Sequence, residues 1–202
     1  NAFVMRGSGV RVPYSAPESN YLTLRKIITF YFKYKSNNMD QEKYKILFVC
    51  LGNICRSPMA ECIMEQLIKE NHISNKIMVD SAGIIAYHAG EKADPRMRKH
   101  AYLRGYNITH ISRPISTSDF DEFDLIISMD ESVHDALLDK APSITLENKV
   151  VRMTDFCQIH RDATHVPDPY YGGASGFEHV INLLEDSCKG LLKHVLDKSI
   201  KF

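Results

Sequence analysis

Residues 50–57 read Cys-Leu-Gly-Asn-Ile-Cys-Arg-Ser, directly after the apolar run Ile46–Val49 and directly before Pro58. The apolar run predicts a buried strand, and Pro58 suits the first turn of a helix for which Ser57 can be the N-cap. Backbone N–H groups of the intervening loop would lie at the positive end of the helix dipole, where they can bind a small anion. The stretch therefore predicts a strand, an anion-binding loop and a helix in succession.

Two side chains of this loop are suited to phosphoryl transfer. An electropositive loop favours the thiolate form of Cys50, which is the nucleophilic form. Arg56 carries a planar guanidinium that can bind two oxygens of one phosphate. A cysteine at a strand end is often only a small buried side chain. Here Gly52 permits a tight turn and Asn53 tolerates a positive φ, so the pattern favours a cysteine-nucleophile phosphatase loop.

Short apolar runs alternate with helical stretches from Lys45 onward. The predicted strands are 46–49, 77–79, 125–128 and 150–153, and the predicted helices are 58–70, 95–103, 132–140 and 177–197. Single helices between strands imply right-handed βαβ units. We therefore expect an α/β fold with a doubly wound, four-stranded parallel sheet and helices on both faces, a flavodoxin-like three-layer sandwich. Ligands of such sheets bind beyond the carboxyl ends of the strands.

Charge is distributed unevenly along the chain. The 202 residues include 25 basic and 25 acidic side chains, but residues 1–38 hold six of the basic ones and only Glu18 among the acidic ones. The remaining, mildly acidic part argues against nucleic-acid binding, which favours a basic face. The apolar run Ile27–Phe32 is too short to span a bilayer, so we expect no stable membrane insertion. Without a secretory signal pattern, we expect a cytoplasmic protein.

Residues 1–38 also differ in composition from the rest of the chain. They contain several Gly, Pro and Ser residues and no sustained hydrophobic period, whereas Met39 precedes the first core strand as a natural start would. We expect residues 1–38 to be a disordered or non-native extension and residues 39–202 to be the catalytic domain. The alternative is a basic surface-binding or targeting segment within Tyr21–Lys35.

The loop resembles the signature of the low-molecular-weight protein tyrosine phosphatases, and the similarity runs from about Lys45 to Leu192. Four further motifs carry it: Asp80-Ser81-Ala82-Gly83, Asp94-Pro95-Arg96, Ser128-Met129-Asp130-Glu131-Ser132 and Asp168-Pro169-Tyr170-Tyr171. The loop and the last motif are specific, whereas the other three would be weak alone. The resemblance implies a phosphotyrosine protein phosphatase that hydrolyses aryl phosphomonoesters through a cysteinyl-phosphate intermediate.

The resemblance also implies a role for each matching residue. Cys50 would be the nucleophile, Arg56 the phosphate clamp and Asp168 the general acid and base. The other residues of the phosphate-binding loop would be Leu51, Gly52, Asn53, Ile54, Cys55 and Ser57. Those that support the loop would be Ser81, His110 and Asp130, with His110 acting through a hydrogen-bond network with Asp130. The hydroxyl of Ser57 would assist the thiolate. Those that wall the substrate cleft would be Leu51, Tyr87, Tyr170 and Tyr171.

Three positions bear on regulation and specificity. By resemblance, Cys55 would capture an oxidised Cys50 as a disulfide, although a small side chain packed beneath the loop is the alternative. Val133 stands where the family usually has Asn, so one support of the loop is lost or replaced. A phosphoarginine-directed branch of the family has Thr at the position of Ile54, which favours phosphotyrosine here.

The five cysteines give neither a disulfide framework nor a paired zinc motif. We expect no cofactor and no metal, because the loop itself supplies positive potential. A thioredoxin-coupled arsenate reductase shares this fold and loop, but it needs further cysteines near the third strand, and residues 110–140 contain none. A non-enzymatic phosphotyrosine-binding module would be expected to lack Cys50, Arg56 or Asp168. The expected partners are a tyrosine-phosphorylated protein or peptide as substrate and inorganic phosphate as product and inhibitor, with the enzyme a monomer or weak dimer.

Overall fold

A computed structural model describes residues 3–4, 11–12, 43–170 and 172–198. The chain divides into two units, residues 1–41 and 42–202. In the first unit, strand β1 (Phe3–Val4) pairs antiparallel with strand β2 (Arg11–Val12). The other residues of the expected extension, including the basic stretch 21–35, lie outside the described residues.

The second unit contains the predicted four-stranded parallel sheet. Its strands in chain order are β3 (Tyr44–Cys50), β4 (Ile77–Gly83), β5 (Leu125–Ser128) and β6 (Val150–Arg152). They lie in the spatial order β4-β3-β5-β6, and every neighbouring pair is parallel. The chain leaves β3 in one direction to form β4 and then returns past it to form β5. Cys50 at the end of β3 therefore lies at the topological switch point, where such sheets bind ligands.

Six helices of the described residues lie around this sheet. They are α1 (Arg56–Glu70), α2 (Pro95–Leu103), α3 (Thr117–Glu122), α4 (Glu131–Lys140), α5 (Ile144–Glu147) and α6 (Ala174–Lys198), with a 3₁₀ turn at Met153–Phe156. The four longer helices confirm the sequence prediction. The two short helices and the 3₁₀ turn were not predicted, because elements of four to six residues carry too little hydrophobic period. None of the described helices is long and apolar enough to cross a membrane.

Central strand β3 is buried on both faces. Ile46 and Phe48 pack into one cluster with side chains of α1 and α6, whereas Leu47 and Val49 pack into a second cluster with side chains of α3 and α4. All four side chains are fully buried. This alternation is the two-residue period of a strand that is covered on both sides. The three-layer sandwich is thereby confirmed, and β3 brings Cys50 to its loop from a rigid core.

Candidate active site

Cys50 lies at the base of a tight loop between β3 and α1. Its side chain is buried, its Sγ accepts a hydrogen bond from the Asn53 amide at 3.2 Å, and Ser57 Oγ lies 3.1 Å away. The loop therefore places two hydrogen-bonding groups directly on the Cys50 sulfur. The prediction that Ser57 caps the helix is wrong, because α1 begins at Arg56 and Cys55 occupies the N-cap position without a side-chain hydrogen bond. The Ser57 hydroxyl contacts the Cys50 thiol, the group that the resemblance implies it would assist.

Asn53 holds the shape of this loop. It is fully buried and has a φ of 56°, a conformation that asparagine tolerates better than most residues. Its Nδ2 donates hydrogen bonds to Ser57 Oγ and Ser81 Oγ, both at 2.9 Å. Its Oδ1 accepts from His110 Nε2 at 2.8 Å and from the Arg113 amide at 2.9 Å. One buried amide therefore connects the loop to α1, to β4 and to the segment around His110.

The predicted hydrogen-bond network of His110 with Asp130 is wrong, because the described contacts of His110 are to other residues. His110 Nδ1 lies 2.9 Å from Glu61 Oε2, and Glu61 also accepts a hydrogen bond from Ser81 Oγ at 2.6 Å. Sequence reasoning missed Glu61, although it lies four residues after Ser57 on α1 and so shares its face of the helix. Among the described residues, Glu61, Asp80 and His110 are the group whose ligand atoms are close enough to hold a cation. Each of these three residues already has a hydrogen-bond or ion-pair partner among its neighbours.

Asp130 contacts Arg56 instead, and it is held by its own helix. It caps α4 by accepting a hydrogen bond from the Val133 amide at 2.9 Å, and Ser132 Oγ donates to the same carboxylate at 2.6 Å. Burial acts to raise the pKa of Asp130, but hydrogen bonds from Ser132, Val133 and Arg56 outweigh it and lower this pKa. The Val133 side chain is buried in the apolar core. At this position the chain therefore contributes a backbone contact to the network and no side-chain polar group.

Arg56 connects the loop to two carboxylates. Its side chain is 3% exposed, and Nη1 donates to Asp130 and, at 3.2 Å, to the Val166 carbonyl, while Nη2 donates to Asp168 Oδ2 at 3.2 Å. Burial acts to lower the pKa of Arg56, but the negative charges of Cys50, Asp168 and Asp130 raise it overall. A buried, permanently charged guanidinium thus faces the same space as Cys50.

Asp168 lies at the mouth of a cleft of about 340 Å³ whose lining includes Cys50 and Arg56. Its side chain is 38% exposed, and its Oδ1 accepts a hydrogen bond from the Tyr170 amide at 3.1 Å. The predicted walls Leu51, Tyr87 and Tyr170 also line the cleft, together with Ile85 and His88, which sequence reasoning missed. The predicted wall Tyr171 lies outside the described residues.

Cys55 is buried within the same loop and also lines the cleft. Burial, followed by the nearby charges of Asp94, Cys50 and Asp168, raises the pKa of Cys55 far above its usual range. Its thiol is therefore protonated at neutral pH. Cys50, by contrast, has donors directed at its sulfur. The two cysteines of the loop therefore differ in their polar contacts.

The comparisons with known proteins identify the family of the chain. Residues 45–201 match the family described as low molecular weight phosphotyrosine protein phosphatase. The chain belongs to that family. A crystal structure of a protein tyrosine phosphatase from Entamoeba histolytica superposes with a TM-score of 0.75 at 47% identity, covering 78% of this chain and all of the other.

Two further relatives show the range of the family. A low molecular weight protein-tyrosine-phosphatase of Streptomyces coelicolor is 38% identical over 157 residues, which are 77% of this chain and 95% of the relative. A crystal structure of a Drosophila arginine phosphatase superposes with a TM-score of 0.69 at 33% identity, covering 78% of this chain and 99% of the other. The fold therefore carries more than one phosphatase specificity, and the substrate has to be argued from the cleft.

Proposed function

We propose that this chain hydrolyses phosphotyrosine in proteins or peptides through a cysteinyl-phosphate intermediate. The observation that carries the proposal is the meeting of Cys50, Arg56 and Asp168 in one cleft. Cys50 lies at its base among hydrogen-bond donors, and Arg56 bridges from the loop to Asp168. A nucleophile, a phosphate clamp and a proton donor are the three parts that this reaction requires.

In the first step, the Cys50 thiolate attacks phosphorus and forms the S–P bond as the bond from phosphorus to the phenolic oxygen breaks. Arg56 and the loop amides bind the equatorial oxygens of the transferring group. Asp168, protonated beside a bound dianion because two negative charges repel each other, gives its proton to the departing oxygen. The products of this step are a neutral phenol and the cysteinyl-phosphate.

In the second step, water attacks the same phosphorus from the position that the phenol has left. The carboxylate of Asp168 accepts a proton from this water, so one residue acts as acid and then as base. The S–P bond breaks, the thiolate of Cys50 is restored and inorganic phosphate leaves. Since phosphate fits the same loop as the substrate's phosphoryl group, we propose that it also inhibits the enzyme.

Phosphotyrosine is the substrate that the cleft favours. Leu51, Tyr87 and Tyr170 offer apolar and aromatic surface at its mouth, and Tyr87 is 82% exposed. An aromatic wall can pack against a phenyl ring. The tyrosine side chain is also longer than that of serine, so it can carry its phosphate to the base of the cleft. Ile54, where the phosphoarginine-directed branch is expected to carry Thr, also lines the cleft and supports the same choice.

We also propose that Cys55 protects the nucleophile. Peroxide would oxidise the Cys50 thiolate to a sulfenic acid and be reduced to water. The Cys55 sulfur would then bond to that of Cys50, with the Cys55 proton and the sulfenic hydroxyl leaving as water. Burial keeps Cys55 protonated, so this capture should be slow at neutral pH and faster at higher pH. A cytoplasmic monomer or weak dimer is the setting that we propose for this chemistry.

The proposal is tested by phosphate release from a phosphotyrosine peptide, with the parent protein beside Cys50→Ser. Serine keeps the shape, but its hydroxyl ionises far less readily than a thiol, so turnover should be abolished while the fold and phosphate binding remain. Phosphoserine and phosphoarginine peptides of the same sequence serve as competing substrates. Turnover by Cys50→Ser within tenfold of the parent would exclude Cys50 as nucleophile, and faster release from phosphoarginine would overturn the substrate assignment.

A further inference from the structure

Arg96 lies beside the cleft wall, outside the residues that line the cleft itself. Its Cζ is 5.1 Å from the centre of the Tyr170 ring and 5.1 Å from the centre of the Phe177 ring. Both distances are within the range of cation–π interactions, which a flat guanidinium makes well. Tyr170 belongs to the segment that carries Asp168, whereas Phe177 is buried in α6. One cation therefore connects an exposed wall of the cleft to the core.

Asp94 fixes the orientation of this guanidinium. Arg96 donates from Nε to Asp94 Oδ1 at 3.1 Å and from Nη2 to Asp94 Oδ2 at 2.8 Å, a two-point contact that sets the plane of the group. Asp94 is 7% exposed and caps α2 by accepting from the Arg96 amide at 2.8 Å. Its own amide donates to the Ile54 carbonyl at 2.8 Å. Asp94, which orients Arg96, is thus itself attached to the phosphate-binding loop.

Rigid elements support the other side of the contact. The His100 ring is stacked on Phe177, with centroids 5.4 Å apart and an interplanar angle of 6°. His100 Nδ1 lies 2.6 Å from Glu178 Oε1, which joins α2 to α6. A continuous series of contacts therefore runs from α2 and α6 to the cleft, through His100, Phe177, Arg96 and Tyr170. Tyr170 is at its outer end.

Tyr170 in turn reaches the proposed proton donor, since its amide donates to Asp168 Oδ1 at 3.1 Å. We propose that Arg96 is a positioning residue: by holding the Tyr170 ring it keeps the carboxyl of Asp168 aimed at the leaving-group oxygen of an aryl phosphate. Arg56 Nη2 holds the other carboxylate oxygen, Oδ2, at 3.2 Å, but the side chain is 38% exposed, so the Tyr170 amide is its second point of attachment. The inference rests on the proposed phosphatase activity and concerns its protonation step.

The test compares Arg96→Lys with the parent on two aryl phosphates. Lysine keeps the charge but loses the flat, two-point group that contacts both rings. We expect kcat/KM to fall about 10- to 100-fold for phosphotyrosine, because misplacing a catalytic group by about 1 Å can cost 10²-fold. For a phosphate of a much more acidic phenol, which leaves without a proton, the fall should be about threefold or less. Arg98→Lys is the matched control, since Arg98 lies on the same helix and donates to the Ala93 carbonyl at 2.9 Å.

A second readout is independent of turnover. The chain contains no tryptophan, so Tyr170→Trp introduces a single fluorescent reporter at the wall. Adding Arg96→Lys should lower the anisotropy of this tryptophan, whereas adding Arg98→Lys should leave it unchanged.

The outcomes separate the two proposals. A parent that releases no phosphate from either substrate would overturn the proposed function and this inference with it. An active parent and an Arg96→Lys variant with the same ratio of kcat/KM for the two substrates would overturn this inference alone. Equal losses on both substrates with unchanged anisotropy would also overturn it, because they indicate a general effect on the fold.

Discussion

The two halves of the active site are built in opposite ways. In the phosphate-binding loop, residues 50–57, the residues from Asn53 to Ser57 and Cys50 are all buried. In the acid segment, which we define as residues 157–170, only Val166 and Pro169 are buried. The nucleophile needs a fixed frame of donors, whereas the proton donor must meet both the leaving group and water. Rigidity and exposure are therefore divided between two parts of the chain.

The acid segment is held at a few points. Near its start, the carboxylate of Asp186 on α6 accepts hydrogen bonds from the amides of Gln158, Ile159 and His160 at 2.9–3.2 Å. In its middle, the Val166 amide donates to the Met129 carbonyl at 2.8 Å. At its end, Asp168 contacts Arg56. The loop is held by one connected network, whereas the start of the segment is held by Asp186 and its end by Arg56. Substitutions at these two places should therefore have separable effects.

The largest effect that we expect in the acid segment is on chemistry. Asp168→Asn should slow release of tyrosine from phosphotyrosine by roughly 10²- to 10⁴-fold, the usual range for a lost general acid. Tyrosine's phenol has a pKa of about 10 and leaves poorly without a proton. Asparagine preserves the size of the side chain, so the effect isolates the proton.

Single-turnover release of tyrosine and of a much more acidic phenol, by parent and variant, is the measurement. The acidic phenol should lose far less rate, since it departs without protonation. If the two phenols are slowed equally, Asp168 acts in binding or positioning and its assignment as proton donor has to be withdrawn.

The second effect is on stability and arises where the acid segment begins. A methyl group added at Gly190 on α6 would lie 1.9 Å from the Phe156 carbonyl oxygen, so the backbone has to move. Gly190→Ala should therefore lower the free energy of unfolding by about 3 kcal/mol, at the upper end of overpacking effects. Gly173→Ala is the control, because a Cβ there meets nothing within 4 Å. Equal melting temperatures for parent and Gly190→Ala would mean that this close contact is not needed.

How far the sequence predicted the site also differs between the halves. The strand, loop and helix around Cys50 are contiguous, and their residue types each favour one local structure, so the fold and the loop could be predicted. The partner of His110 could not, because Glu61 lies 49 positions away and its carboxylate competes with that of Asp130. Ser57 was a plausible helix cap by type, but the buried thiol of Cys50 engages its hydroxyl.

The contacts that hold the acid segment were not visible in the sequence at all. Asp186 lies in the middle of a helix, where an aspartate is usually solvent-exposed. Gly190 in the same helix appears only as a local weakness of about 1 kcal/mol. The presence of Asp186 and Gly190 at these positions is explained only by the packing of residues 156–160 against α6. Tertiary contact, and not local propensity, determines both positions.

The third effect depends on pH. Burial acts to raise the pKa of Asp186, but the amides of His160, Ile159 and Gln158 outweigh it, so this pKa is lowered on folding. A carboxyl with a lowered folded pKa contributes stability above its unfolded pKa of about 4, and this contribution is lost as the pH falls through the folded pKa. Asp186→Asn should therefore cost about 1–2 kcal/mol at pH 7, and the cost should shrink below about pH 4.

Urea unfolding of parent and Asp186→Asn at pH 7 and pH 3 measures this difference. Asp197→Asn on the exposed surface of α6 controls for removing one negative charge. A cost that is the same at both pH values would show that the carboxylate charge contributes nothing and that only the shape of the side chain matters.

The smallest effect should come from removing residues 1–38. Every contact described for the loop and the acid segment involves residues from Cys50 to Gly190, and β3 is already paired on both sides by β4 and β5. The shortened protein should keep its kcat/KM and melt within about 1 °C of the parent, since each 1 kcal/mol corresponds to about 2–4 °C at this size. A loss of several degrees would show that the segment packs on the catalytic domain and would add a third part to the comparison.

The six basic side chains in this segment allow a second measurement, co-sedimentation of both lengths with vesicles of anionic lipid. If only the full chain sediments, and added salt releases it, residues 1–38 are a surface-binding segment and not a dispensable extension.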